Sequence, residues 1–271
     1  MLGTALNLLT CPLCGQSLTA GAGALKCPKA HAFDIARQGY VNLLSGGAHT
    51  GTADTAEMVR ARADFLAAGH YAPLAEAIAR IASDLGPSTV LDAGTGTGYY
   101  LAAVLDALPT AVGLGLDISK YALRRAARAH PRAAAAVWDV WRPLPVRSAE
   151  VDLVLNVFAP RNAAEFARVL RPEGALLVVT PTGAHLAELR AEAGLLEVDA
   201  AKEERLDRTL SGRFEPARTE HLDYPLTLSA AEATDAVAMG PSAHHAPRAV
   251  EGDRQVTASF RLSLYRPTPQ T

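Results

Sequence analysis

Ser88 to Tyr100 reads STVLDAGTGTGYY. A short β-branched and apolar run ends in the acid Asp92, and Gly94, Gly96 and Gly98 follow before the helix-like LAAVLDAL of residues 101–108. The context is therefore strand, turn, helix. Glycines in such a turn let backbone approach a ligand closely, while the start of the next helix offers free N–H groups. The dinucleotide fingerprint G-x-G-x-x-G fails in this register, because Tyr99 stands where the third glycine is required, which disfavours a nicotinamide-dependent dehydrogenase.

Outward from the turn, AVGLGLD (111–117) ends in Asp117, about where a second parallel strand would deliver a carboxylate to two ribose hydroxyls. AAAAVWDVWRPLP (133–145) places Asp139 after a third apolar run, either near an adenine amino group or as a plain turn or helix-cap residue. The D-x-G-x-G-x-G pattern resembles the first motif of class I S-adenosylmethionine-dependent methyltransferases. VDLVLNVFAP (151–160) and ALLVVTP (175–181) alternate with the helical segments KYALRRAARA and NAAEFARVL, the rhythm of a doubly wound sheet with both faces covered. Ligand belongs at the carboxyl ends of such strands. Residues 215–228 and 256–266 read as a late antiparallel pair. The expected fold is α/β, Rossmann-like, with a seven-stranded, mostly parallel sheet and a small N-terminal zinc-binding domain.

With 271 residues, 49% of them hydrophobic, the chain can bury one large domain and a small accessory one. The N-terminus has no basic region or apolar stretch of signal-peptide length, and no run reaches about 18 apolar residues, so the expectation is a cytoplasmic protein with no membrane span. A net charge of -2 announces no nucleic-acid binder, so such a role must rest on local patches.

All three cysteines lie in CPLCGQSLTAGAGALKCPKAH (11–31). Cys11 and Cys14 form C-x-x-C, and Cys27 with His31 forms C-x-x-x-H, two short pairs separated by a hairpin-length insert. Such spacing can set three sulfurs and an imidazole around Zn²⁺ in a closed, structural site. A redox C-x-x-C and coincidental buried thiols are the alternatives, and His49 is a distant substitute for His31.

The zinc stretch, FDIARQGYVNLL (33–44), AEMVRARADFLAAGHY (56–71), the glycine turn followed by YY, and TPTGAHL (180–186) together resemble the 23S ribosomal RNA guanine-N1 methyltransferases. RRAARAHPRA, DVWRPLP, LNVFAPRN and VAMGPS look most like the actinobacterial macrolide-resistance branch, associated with tylosin resistance. The resemblance implies methyl transfer from S-adenosylmethionine to N1 of a guanosine in hairpin 35 of domain II. It implies zinc ligands Cys11, Cys14, Cys27 and His31, and cofactor contacts at Tyr71, Thr95, Gly96, Thr97 and His185. It implies domains at residues 1–45 (zinc-binding, RNA recognition), 46–80 (helical linker to the cofactor site) and 81–271 (methyltransferase), with a homodimer as a further expectation. MGPSAHH (239–245) departs from the family pattern by lacking an aromatic, leaving His244 or His245 as the only rings there.

N1 lies on the Watson–Crick edge and carries a proton, so the base must be unpaired or extruded and the proton lost. Asn156 is the expected holder of the base, through its amide or carbonyl, and Asp139, His185 and the loop histidines are candidates for taking the proton. Arg124, Arg125, Arg128 and Arg132 form a helical stripe, read as a solvated face or an RNA contact, while Arg37, Arg60 and Arg62 lie near the zinc stretch and linker. A methyltransferase acting on tRNA or a small molecule, and a non-catalytic zinc-ribbon RNA-binding protein, are the rival readings.

Overall fold

A computed structural model of the chain describes residues 5–44, 53–193, 208–240 and 252–268. Three short strands come first: β1 (Thr19–Ala20), β2 (Ala24–Lys26) and β3 (Ala32–Asp34), paired antiparallel with Thr19 opposite Lys26 and Leu25 opposite Phe33. Strands of two or three residues cannot bury a core alone, so this module depends on its metal-binding side chains and on what it packs against.

The chain continues with β4 (Val41–Asn42), α1 (Ala56–Ala67), α2 (Ala72–Leu85), β5 (Thr89–Ala93), α3 (Tyr99–Ala107), β6 (Val112–Asp117), α4 (Lys120–Ala129) and β7 (Ala133–Val137). Then come β8 (Val151–Val157), α5 (Ala163–Val169), β9 (Leu170–Pro181), α6 (Ala187–Ala193), β10 (Phe214–Leu228), α7 (Ala230–Ala238) and β11 (Arg254–Pro267). One eight-stranded sheet runs in the order β10-β11-β9-β8-β5-β6-β7-β4. Strands β4 to β9 are parallel, and β11 runs antiparallel to both β9 and β10. Seven of these strands are the expected ones, including the late antiparallel pair. The eighth, β4, comes from the FDIARQGYVNLL segment and extends the parallel edge beside β7.

The chain moves outward from β5 through β6 to β7, then returns to β8 on the other side of β5. The crevice at the carboxyl ends of β5 and β8 is thus the topological switch point, where a doubly wound sheet binds ligand. On one face, α2 and α3 bury Leu74, Ile78, Leu101 and Leu105 against Leu153, Leu155, Leu177 and Phe260. The other face is covered differently, because no helix connects β7 to β8. There Leu91, Leu114, Val154 and Leu176 share one core with Leu9, Cys11, Leu25 and Phe33 of the zinc module. Tyr40 packs on α4 among Leu123, Ala126 and Ala127. The N-terminal module is therefore a layer of the main fold, joined to it by a strand and a common core.

Candidate active site and zinc centre

At the end of β5, Asp92 is buried, and its Oδ2 accepts a 2.7 Å hydrogen bond from the Thr95 hydroxyl. Its Oδ1 is buried with no partner among the described residues. Burial raises its pKa, the Thr95 hydrogen bond opposes that, and nearby Asp117 adds to it, for a value of about 7. The turn itself is anchored by the N–H groups of Gly94 and Thr95, which both donate to the Leu116 carbonyl on β6. Thr95 fits beneath β6 only because residue 115 is glycine: a Cβ there would come within 2.7 Å of the Thr95 methyl. Gly94 has φ +90° and would set a Cβ 2.3 Å from that of Ala159, so it meets both demands that favour glycine. Thr97 is half-buried on the turn, and Gly98 ends it in the left-handed region at the N-cap of α3.

Asp117 closes β6 beside the turn. Its Oδ2 accepts the Gly96 N–H at 2.9 Å and its Oδ1 the Ser119 N–H at 2.8 Å, which leaves further lone pairs on each oxygen. Burial holds its pKa above the ordinary carboxylate range. Asp139 lies two residues beyond β7, and the Trp138 N–H joins that end to the Asp117 carbonyl. Of the two sequence readings, the turn cap is the one with visible contacts: Asp139 Oδ1 accepts the Trp141 N–H at 3.0 Å, and Oδ2 lies 3.7 Å from Arg142 Nε.

Opposite the turn, Tyr71 is buried between α1 and α2, edge-on to Phe65 and Phe260, and its hydroxyl is 3.0 Å from His185 Nε2. His185 Nδ1 accepts the Ser259 N–H at 3.2 Å. An accepting Nδ1 assigns the proton of the neutral ring to Nε2, which donates to the Tyr71 oxygen and leaves the tyrosine O–H free to donate onward. Burial, helped by Arg190, lowers the His185 pKa to about 4. The ring is therefore neutral at pH 7 with its one lone pair committed, which argues against it as the proton acceptor. His244 and His245 lie outside the described residues, as does His49.

Asn156, on β8, divides the roles of its two side-chain ends. It is fully buried, and its Nδ2 donates to the carbonyls of Ala93 at 3.1 Å and Pro160 at 2.8 Å. Its Nδ2 is thereby engaged in bracing the loop after β8 against the glycine turn, while its Oδ1 is buried without a partner among the described residues. The ring that sequence reading missed stands two residues on. Phe158 is 43% exposed at φ +55°, with Tyr71, Tyr100 and Phe260 at 6.4, 6.3 and 5.6 Å between ring centroids. An apolar ring between Asn156 and Pro160, at a strand end where ligand binds, was the available signal.

The zinc ligands converge. Cys11, Cys14, Cys27 and His31 bring their donor atoms within 4.8 Å of one another. Zn–S bonds of about 2.3 Å and Zn–N bonds of about 2.0 Å imply tetrahedral edges of roughly 3.8 Å between sulfurs and 3.5 Å between sulfur and nitrogen. Cys14 and Cys27 are 3.7 Å apart, and His31 Nδ1 is 3.4 Å from both Cys11 and Cys27 sulfurs. The donor set and its spacing fit zinc with no position left open. Burial opposes ionisation of Cys27, but backbone N–H groups of His31 and Lys29 and the neighbouring thiols bring its pKa down to about 7, toward the thiolate a metal needs.

Arg132 departs from the expected arginine stripe. Helix α4 ends at Ala129, and the Arg132 guanidinium donates to the carbonyls of Leu105, Leu108 and Ala111, capping the end of α3. Arg124, Arg125 and Arg128 remain exposed on α4. Among the described residues, no helix is long and apolar enough to cross a membrane.

A doubly wound sheet, a D-x-G-x-G-x-G turn with acids at the next two strand ends, and a closed Cys₃His centre define an S-adenosylmethionine-dependent methyltransferase of class I joined to a zinc ribbon. The comparisons agree part by part. Residues 9–46 match the family described as RlmA, N-terminal, and residues 90–174 match a methyltransferase domain. A Micromonospora griseorubida protein provisionally named a 23S rRNA (guanine-N(1)-)-methyltransferase is 53% identical over 96% of this chain and 97% of its own length. The 23S rRNA (guanine(748)-N(1))-methyltransferase of Streptomyces fradiae is 48% identical over the same 96% and 97%. The crystal structure of the MccD protein overlays with a TM-score of 0.51 at 16% identity, covering 72% of this chain and 98% of that one, a likeness of fold alone. The chain belongs to the 23S rRNA guanine-N1-methyltransferase family, with S-adenosylmethionine as cofactor and a structural zinc.

Proposed function

We propose that the chain methylates N1 of a guanine in the loop of hairpin 35, domain II, of 23S rRNA, at the position equivalent to guanine 748 in the name of the Streptomyces fradiae relative. The observation that carries this reading is the common core of the Cys₃His module and the strand bearing the glycine turn, which fixes a recognition element relative to a methyl-transfer site. A cytoplasmic ribosomal substrate and macrolide resistance of the tylosin type follow from the same reading, as does a homodimer presenting two zinc modules to one RNA.

S-adenosylmethionine, when bound, supplies a methyl group already made electrophilic by its sulfonium, so the protein's task is positioning. Asp92, whose Oδ1 lacks a donor among the described residues, would receive the cofactor's α-ammonium. Backbone of Thr95 to Thr97 would line the cofactor, and Asp117 would accept both ribose hydroxyls while keeping its bonds to Gly96 and Ser119. Asp139, beside Asp117, serves the adenine amino group; it lies three strands from β8 and is not the group that acts on guanine N1. Tyr71, oriented by His185, turns its free O–H toward the methionine end.

The guanine enters at the β8 end. Phe158 stacks on it, taking the part of the aromatic that MGPSAHH lacks, and Asn156 holds the loop that carries Phe158. The proposal is tested by incubating the purified enzyme with tritiated S-adenosylmethionine and undermodified 23S RNA, tRNA or small-molecule acceptors. Label confined to 23S RNA is expected. Label in tRNA or a small molecule with 23S RNA blank would overturn it.

A further inference from the structure

Trp141 is the most exposed large apolar side chain among the described residues, at 66%. The backbone beneath the indole is held from several directions. Asp139 accepts the Trp141 N–H, and the Arg142 N–H donates to the Asp139 carbonyl. The Asn162 amide nitrogen lies 3.0, 3.3 and 3.4 Å from the carbonyls of Val140, Trp141 and Arg142. Further along, Glu165 accepts the Leu144 N–H at 2.6 Å, and Arg168 donates to the carbonyls of Leu144 and Val146. Bracing of this kind fixes the backbone from which the indole projects, so less freedom remains to be lost when a ligand binds there.

Its place in the fold says what it presents to. At one end the loop is continuous with β7 and the Asp117 end of the cofactor crevice. At the other, Val146 bridges to Leu9 and the Thr10 N–H donates to Pro145, so the loop is pinned to the zinc module two residues before Cys11. Asn162 belongs to the segment that follows Phe158, and it thereby links the Trp141 turn to the proposed base site. Arg142, next in the chain after Trp141, is exposed, and its one acid contact among the described residues is the 3.7 Å approach of its Nε to Asp139. An exposed aromatic face on a braced backbone, followed in sequence by a guanidinium and set between a metal-held module and a methyl-transfer crevice, has the chemistry that stacks a nucleobase and neutralises its phosphate.

We infer that Trp141 is a stacking platform for an unpaired nucleotide flanking the target guanine. The inference rests on the rRNA reading above and adds a specificity-determining residue that touches neither cofactor nor target base. Because the chain has two tryptophans, Trp138 and Trp141, and Trp138 is buried, the platform has its own optical signal. Titration of the holoenzyme with a hairpin RNA carrying the unpaired loop is expected to quench tryptophan emission, and a fully paired duplex of equal length is not. In Trp141→Phe the quench disappears while most RNA affinity remains, since a ring is still present. In Trp141→Ala, RNA binds about tenfold more weakly, with S-adenosylmethionine affinity and melting temperature unchanged. Quenching that persists in Trp141→Phe, or wild-type RNA affinity in Trp141→Ala, would overturn the inference. So would joint loss of RNA and cofactor binding in Trp141→Ala, which would assign the residue to folding. If the unaltered enzyme bound the hairpin without methylating 23S RNA, the proposed function would fail while the stacking inference could still be read from the quench.

Discussion

Asp92 carries its charge at a cost, because burial and Asp117 raise its pKa to about 7 against an ordinary value near 3.9. A carboxyl raised in the folded state contributes stability that is fully present below about pH 4 and is lost as pH rises through 7. The cofactor ammonium needs the ionised form, so binding works against the proton below pH 7. S-adenosylmethionine affinity is therefore expected to rise roughly three- to tenfold between pH 6 and pH 8, with proton release visible by calorimetry in buffers of different ionisation enthalpy. Asp92→Asn should flatten that profile; an unchanged slope in the variant would place the titrating group elsewhere. Gly94→Ala should weaken the cofactor by tenfold or more and cost roughly 2 kcal/mol, since the new methyl meets Ala159 on a left-handed backbone. At this scale the glycine turn, Asp117 and the zinc ligands were legible because each rests on a short local pattern. Phe158 was not, because its exposed place beside Tyr71 and Tyr100 depends on its own left-handed backbone after β8, which no propensity signals.

Helix α4 shows how an element boundary redirects a residue. The sequence spacing put Arg132 in line with Arg124 and Arg128, yet Pro131 disfavours helical backbone at His130, which is extended at φ -153° and ψ 141°. Arg132 is thereby freed to cap α3. Arg132→Ala is expected to lower stability by about 1–2 kcal/mol, whereas Arg124→Ala and Arg128→Ala should change it by less than about 0.5 kcal/mol. Denaturant titration of the three variants distinguishes them, and equal effects would contradict the capping role. Strand β4 carries a similar lesson. Two residues show no periodicity, so FDIARQGYVNLL was recognisable as a family feature but not as a sheet edge. Tyr40, which docks this segment on α4, should cost about 3 kcal/mol when truncated to alanine.

Across the whole molecule, the alternation of strands and helices made the doubly wound sheet and its late antiparallel pair readable. The zinc module's second task, covering a sheet face that no helix covers between β7 and β8, was not readable, because it depends on contacts between Leu9 or Phe33 and strands more than fifty residues away. One core predicts one transition: Cys14→Ala or zinc chelation should lower the melting temperature by several degrees and reduce RNA methylation, while cofactor affinity in the protein that remains folded changes little. Loss of cofactor binding in step with RNA methylation would mean that the metal is required for the whole fold.

Delivery of a methyl group to guanine N1 in one loop of 23S RNA by an enzyme with a zinc-held module can be read by reverse transcription across hairpin 35 after treatment with enzyme and S-adenosylmethionine. N1 methylation blocks Watson–Crick pairing. A new stop is expected one nucleotide before a single loop guanine, absent with Asp117→Ala or without cofactor. Methyl incorporation into 23S RNA with no stop in that loop, or a stop in another domain, would contradict it.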